Sequence, residues 1–210
     1  MYAAPHFREE RPEVLLDAIR GIGAVTLVTR TADDLTATFM PVLVGGTVEA
    51  PMLIGHIARA NRQWKHALSD EAALAVAAGP NTYVSPSLYP SKARDPRVVP
   101  TWNYVHVQAH GQLEWVTDAE QKLAIVSMLT DHHEAERDDP WAVSDAPDDF
   151  VESKLAGIVG VRLTVERLEG SFKLSQNQDD TNRLAVQAEL GADASSRGRD
   201  VAAAMAERQG

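Results

Sequence analysis

The sequence predicts a mainly β fold with peripheral helices, an antiparallel barrel rather than a layered α/β sheet. Three observations carry this. Several short segments are extended and β-rich, some alternating apolar and polar residues with period two. Capped amphipathic stretches occur in only two or three places. Strands and helices do not alternate regularly, as parallel βαβ units require.

The elements follow in order. Pro12 opens a helix with Val14, Leu15, Ala18 and Ile19 at helical spacing, and Gly21 and Gly23 end it. Residues 22–30 read as a strand, Asp33-Asp34 as a turn and residues 35–44 as a second strand, together a hairpin. Pro41 requires an edge or bulge position there. Gly45-Gly46 is a further turn, after which residues 50–56 resume an extended pattern. Asn61 caps a short helix containing Gln63, Trp64, Lys65, His66 and Leu68. Residues 72–78 form a short apolar strand. Residues 81–100, with four prolines, form a loop whose length implies function or disorder. Residues 104–115 alternate well, with Val105, Val107 and Ala109 on one face and His106, Gln108 and His110 on the other. Asp118 with Gln121 resembles a capping box opening a helix to about Arg137. A strand over 159–168 and a helix over 179–190 complete one domain, residues 1–190. Residues 191–210 are an alanine-rich polar tail, expected to be frayed or loosely docked.

At 210 residues the chain can bury a substantial core without covalent or metal staples. It has no cysteine, which removes disulfides, thiolate metal sites and thiol nucleophiles together. Its formal charge of −10, from 20 basic and 30 acidic residues, counts against a free-standing DNA-binding module. The opening residues carry no basic start followed by an apolar run, and nowhere do about 18 apolar residues run together. A cytoplasmic location without a membrane span is the expectation.

Four constellations could carry chemistry. The densest is Gly55-His56-Ile57-Ala58-Arg59-Ala60-Asn61-Arg62-Gln63-Trp64-Lys65-His66, with cations and a capping Asn at a strand-to-helix junction. Free N–H groups at a helix start, with Arg59 and Lys65 alongside, suit a phosphate. A solvated basic patch beside an ordinary cap fits the same spacing, and no glycine-rich phosphate loop accompanies it. Thr101-Trp102-Asn103-Tyr104 could stack on a flat ring and hydrogen-bond its edge, or could pack as an ordinary turn. Lys173-Leu174-Ser175-Gln176-Asn177 holds four polar side chains just after a strand, and composition alone also fits an inert loop. His106 and His110, and His132-His133 with Glu134 and Glu136, do not have the spacing of a known zinc motif, so no metal is expected.

Taken together, these segments resemble the PaiB family of FMN-binding negative transcriptional regulators. The resemblance rests on Met1-Tyr2 with Pro5 and Phe7, the GHIARAN-QW-K stretch, SPSLYPSK at 85–92, VPTWNY at 99–104 and KLSQN at 173–177, in that order. Arg62 stands where Pro is expected and Leu88 where Trp is expected. The resemblance implies an FMN-binding split β-barrel of the pyridoxamine-phosphate-oxidase type, a homodimer with FMN at the subunit interface. It implies that Arg59, Asn61 and Lys65 hold the FMN phosphate, with His56 and Trp64 in the same stretch. The strand from Thr36 through Thr38 to Met40 would offer backbone groups to the isoalloxazine edge. Lys173, Ser175, Gln176 and Asn177 would close over the partner's flavin, with Thr101, Trp102 and Asn103 contributing from the same interface. For function, it implies a transcriptional regulator. An FMN-dependent oxidoreductase or flavin reductase is the alternative, with haem degradation a further one. No helix-turn-helix pattern or basic stripe supports direct DNA binding.

Overall fold

The computed structural model describes residues 1–68 and 72–208. Its strands are β1 (Arg8–Glu9), β2 (Ala24–Arg30), β3 (Leu35–Gly46), β4 (Pro51–Ala58), β5 (Ala73–Val84), β6 (Thr101–Val116) and β7 (Ile158–Lys173). Its helices are α1 (Pro12–Ile22), α2 (Gln63–His66), α3 (Ala119–Glu134), α4 (Asp148–Ala156), α5 (Asp180–Gly191) and α6 (Ser196–Glu207). The mainly β class with peripheral helices is as the sequence predicts. The strands form one sheet in the order β1-β7-β4-β3-β2-β5-β6, and a further β7–β6 pairing closes the six strands after β1 into a ring. Among the described residues, no helix is long and apolar enough to cross a membrane.

The chain forms two compact units. One comprises Ile19–Ala77 and Gln108–Leu168. In it β2 and β3 make the expected hairpin, with Val25, Leu27, Met40 and Val42 buried on one face. Gly23, at φ 70°, ends α1 as its missing Cβ allows. Helix α3 covers the other face of the sheet, where Val116, Ile125 and Leu129 pack with Leu43 and Ile54. The Asp118 carboxylate accepts the Gln121 N–H at 3.0 Å, the half of the capping box that the spacing predicts. The other half is absent: the Gln121 side chain accepts from Arg162 instead, at 2.6 Å. Gly111 is required by close approach, because a Cβ there would lie 1.9 Å from the Thr164 carbonyl oxygen.

The other unit comprises Met1–Ala18, Ala78–Val107 and Glu169–Gly210. Strand β1 pairs with β7 through Glu9↔Gly170. The Glu9 carboxylate is buried and receives a two-pronged bond from Arg11, at 3.0 and 2.9 Å, plus Arg208 at 2.5 Å. Hydrogen bonding from Arg11 is the largest influence holding its pKa down at about 2, with the Arg208 charge adding to it.

Two expectations are corrected here. Residues 81–84 are strand, since β5 runs through Gly79 and Pro80 to Val84. The remaining loop is ordered. Two short 3-10 turns, Pro86–Leu88 and Pro90–Ala93, shape it, and Asn182 on α5 binds both the Ser91 N–H and hydroxyl, at 3.1 and 2.9 Å. The alanine-rich tail does not fray. It forms α6, capped by Ser195, which packs on α5 and buries Val201, Ala202 and Met205. Asp148-Asp149 open α4, a helix that the sequence reading does not include.

Candidate functional site

Strand β4 ends at Ala58, and five residues later the chain turns into α2. The Arg59 N–H is tied to the Gly157 carbonyl at 2.8 Å. The Asn61 carboxamide oxygen accepts the Gln63 N–H at 2.9 Å, although the cap position itself falls on Arg62, one residue after the expected one. Helix α2 is a single turn, Gln63–His66, so it has no appreciable dipole to offer an anion. Charge at the junction therefore rests on side chains. Trp64 gathers two of them: Arg59 Cζ lies 5.5 Å and Lys65 Nζ 5.1 Å from its ring centre. The indole N–H donates to the Arg59 carbonyl at 2.9 Å, which fixes the ring against the turn.

Beside this junction the barrel wall is split. β3 pairs with β4 only from Val42↔Gly55 to Gly46↔Pro51, and β4 continues from His56 to Ala58 against β7 alone. Residues 35–41 of β3 pair with β2 on one side, and among the described residues no strand pairs with their other edge. Val42 N–H donates to the Gly23 carbonyl, so that pair bonds toward β2. In an unbroken antiparallel register such pairs recur every second residue, at Met40, Thr38 and Thr36. The main-chain groups of Ala37 and Phe39 thus face the open edge. Pro41 falls in the same outward phase, where its missing N–H costs no bond to β2, as its predicted edge position requires.

The side chains follow the opposite phase. Thr36 and Thr38 are half-buried, and Met40 is buried in the core, where its Cε would lie 2.9 Å from a Cβ at Gly55. Thr38 accepts a hydrogen bond from the Asn61 carboxamide at 2.7 Å, which bridges the split. Outward stand Leu35, 66% exposed, and Phe39, 73% exposed. Sequence reasoning passed over both. Alternation in Leu35-Thr36-Ala37-Thr38-Phe39-Met40 was a visible signal, but alternation alone puts the apolar phase inside.

Gln63 was also overlooked as a site residue. It is 1% exposed, and its amide nitrogen lies within hydrogen-bond distance of the Leu27 and Thr36 carbonyls and the Thr29 hydroxyl. Two carbonyl partners fix that atom as nitrogen. The amide oxygen is buried with no protein partner, an acceptor asking for a donor. Gln63, Thr36, Asn61, Arg62, Thr31 and Asp33 line a cleft of about 320 Å³.

Residues 1–167 match the family model described as "Putative FMN-binding domain". The chain belongs to this family. It is 30% identical over 186 residues to the protease synthase and sporulation protein PAI 2 of Bacillus subtilis (strain 168), covering 89% of this chain and 87% of that protein. Two solved structures share its fold. The FAD and haem binding protein of Mycobacterium smegmatis superposes with a TM-score of 0.57 at 15% identity, covering 85% of this chain and 79% of that one. A flavocytochrome of Azotobacter vinelandii superposes with a TM-score of 0.52 at 14% identity, covering 88% and 82%. The fold is thus the FMN-binding split β-barrel, and FMN is the cofactor of this family member.

The residues present suit that group. An open strand edge alternates N–H donors and carbonyl acceptors, as the edge of an isoalloxazine does. The orphaned Gln63 oxygen would take a ribityl hydroxyl or ring N–H. Arg59 and Lys65, or Arg62 in the cleft, supply cations for a phosphate. Arg62 is the family departure, and a cation there adds a donor where Pro would have none.

The second group of expected FMN-family residues lies in the other unit. Asn103 is fully buried, and its carboxamide and the Ser175 hydroxyl exchange hydrogen bonds at 2.9 and 3.2 Å. Ser175 has φ 65°, a left-handed conformation that a non-glycine residue adopts at a cost. Gln176 is spent locally, accepting from Leu174 N–H at 2.7 Å and donating to the Phe172 carbonyl at 2.5 Å. Lys173 bonds the Thr101 hydroxyl and lies 5.5 Å from the Phe7 ring centre. Asn177 and Trp102 are exposed, with Tyr83 edge-on to Trp102 at 6.3 Å. The family match ends at residue 167, short of the KLSQN loop. His56 is not in the cleft wall; its ring enters a second pocket, between β4 and α4. Among the described residues no group of three or more His, Asp or Glu side chains is placed to hold a metal ion.

Proposed function

We propose that this protein is a homodimeric FMN-binding regulator of the PaiB type that acts through its flavin and not by sequence-specific contact with duplex DNA. The observation that carries the flavin reading is the split beside Asn61, an unpaired β3 edge next to a cationic turn. The phosphate is assigned to Arg59 and Lys65, and the isoalloxazine edge to the main chain of Ala37 and Phe39. The KLSQN loop and Trp102 are assigned to the partner's flavin. FMN, when bound, supplies reversible one- and two-electron chemistry.

A second copy is favoured by the outward Leu35 and Phe39, with Val28 beside them on β2. Exposed apolar side chains along an unpaired strand edge need cover. Two-fold pairing would give two equivalent sites. The regulatory role comes from the resemblance to the PaiB regulators, which the similarity to PAI 2 of Bacillus subtilis supports. The acidic chain and its few clustered cations argue against an operator-binding surface.

One preparation tests all three claims. Flavin fluorescence should be quenched by the protein with FMN and much less with FAD. Light scattering should give twice the 22.8 kDa chain mass. Anisotropy against its own upstream DNA at roughly physiological salt should show no specific binding. A Kd near 10⁻⁸ M for that DNA, typical of operators, would defeat the indirect-regulator reading. A monomer mass with FMN bound would defeat the interface site.

A further inference from the structure

His56 leaves β4 on the face opposite the buried Leu53, Gly55 and Ile57. It enters a pocket of about 190 Å³ in the unit that contains β4. The remaining walls are apolar: Val126 from α3, Trp141, and Phe150 and Leu155 from α4. Lys154 also lines it, with its ammonium drawn over the Phe150 ring at 4.9 Å. Trp141 and Phe150 are half-exposed, large aromatic side chains held at an opening rather than folded away.

His56 is the feature that an ordinary surface dimple would not have. Among the described residues neither of its ring nitrogens has a hydrogen-bond partner. Burial lowers its pKa, so the imidazole is neutral at pH 7, one nitrogen donating and one accepting. Its nitrogens reach solvent in the free protein, so in an otherwise apolar wall they offer an occupant one donor and one acceptor.

We propose that this pocket binds an uncharged one-ring aromatic compound bearing a hydroxyl group. The hydroxyl would pair with His56, and the ring would lie between Trp141 and Phe150. Size sets the ring count. A cavity of about 150 Å³ takes benzene, so 190 Å³ leaves room for one small substituent and none for a flavin. The one uncharged polar side chain in the wall, His56, sets the number of polar atoms. Charge sets the rest: Asp145 and Asp149 lie next in sequence to pocket residues and Asp148 one position further, which offsets the one lining cation, Lys154, held over Phe150. The inference does not depend on where FMN sits.

Phenol is the probe, with toluene lacking the hydroxyl and benzoate carrying a charge. In the full chain, phenol should quench Trp141 fluorescence and move the His56 imidazole NMR signals. Its Kd should be on the order of 1 mM, as for a ligand of its size. Toluene should bind about fivefold more weakly and benzoate more weakly still. His56→Leu should bring phenol to the level of toluene and leave toluene unchanged. Trp141→Phe should abolish the quenching but keep the NMR shift, and Ala146→Trp should fill the pocket and remove both. The proposal is overturned if phenol and toluene bind wild type equally, or if His56→Leu leaves the phenol preference intact. It is equally overturned if no saturation occurs at about ten times the expected Kd.

Discussion

Replacing Lys65 with Ala should weaken FMN about tenfold and leave riboflavin nearly unaffected. Lys65 and Arg59 share one indole, 5.1 and 5.5 Å from its centre, so their charges are held close together beside the split. A hydrogen bond to a charged group contributes about 1.5–3 kcal/mol, and both side chains are exposed, which favours the lower end. About 1.5 kcal/mol is a factor of roughly ten for each cation. Because both pack on Trp64, the double variant should lose less than the product of the single losses. The assay is flavin fluorescence quenching with FMN and riboflavin in parallel, at low and at about 0.5 M salt, where screening should shrink the FMN preference. Equal losses for the two flavins would show that these cations act on the ring or on folding. A larger loss in Arg62→Ala would move the phosphate into the cleft.

Glu9→Gln should destabilise the protein near neutral pH by about 1–2 kcal/mol after allowing for the exposure of Arg11. The folded carboxyl, at about 2, lies below its ordinary 4.5, so its stabilisation is present above pH 4.5 and fades as pH falls toward 2. Urea melts of both proteins should therefore converge across that window, and a constant gap would refute the assignment. Ser175→Gly should be about 1 kcal/mol more stable than Ser175→Ala, since both lose the Asn103 bond but only glycine is free of the left-handed cost. Equal melting temperatures would contradict that. Gly111→Ala should cost upwards of about 3 kcal/mol or prevent folding, because its methyl meets the Thr164 carbonyl rather than a movable side chain. A wild-type melt would mean that β6 and β7 do not approach as closely as described.

The barrel was legible where period and punctuation agreed. Pro12 and Gly23 bracket α1, Asp118 opens α3, and Asp179 opens α5. Failures came where a local signal had two meanings. The prolines after Asn81 read as a loop from residue 81, yet β5 runs on through Gly79 and Pro80 to Val84. Alanines and arginines in α6 suggest a solvated tail, and only packing on α5 reveals which of them are buried. At the site, the motif stretch located the junction and the Asn61 bond to Gln63, because Asn just before a helix start is a local feature. The split in the wall was invisible. It depends on where β4 leaves β3 for β7, a pairing choice that neither strand's own residues record.

The Glu9–Arg208 bond joins residues 199 positions apart. At ribosomal rates of about 5–20 residues per second, Glu9 waits roughly 10–40 s for its partner to be synthesised. The unit with β2, β3 and β4 has all its residues made once Leu168 is synthesised. The other unit is threaded from three separated stretches and closes last. During that interval its carboxylate has Arg11 alone, and β1 gains its β7 partners, Gly170 and Ser171, only near the end. Premature termination between residue 168 and Arg208 would therefore leave Glu9 without the second half of its clasp. Such products are the ones that proteases and chaperones would be expected to meet.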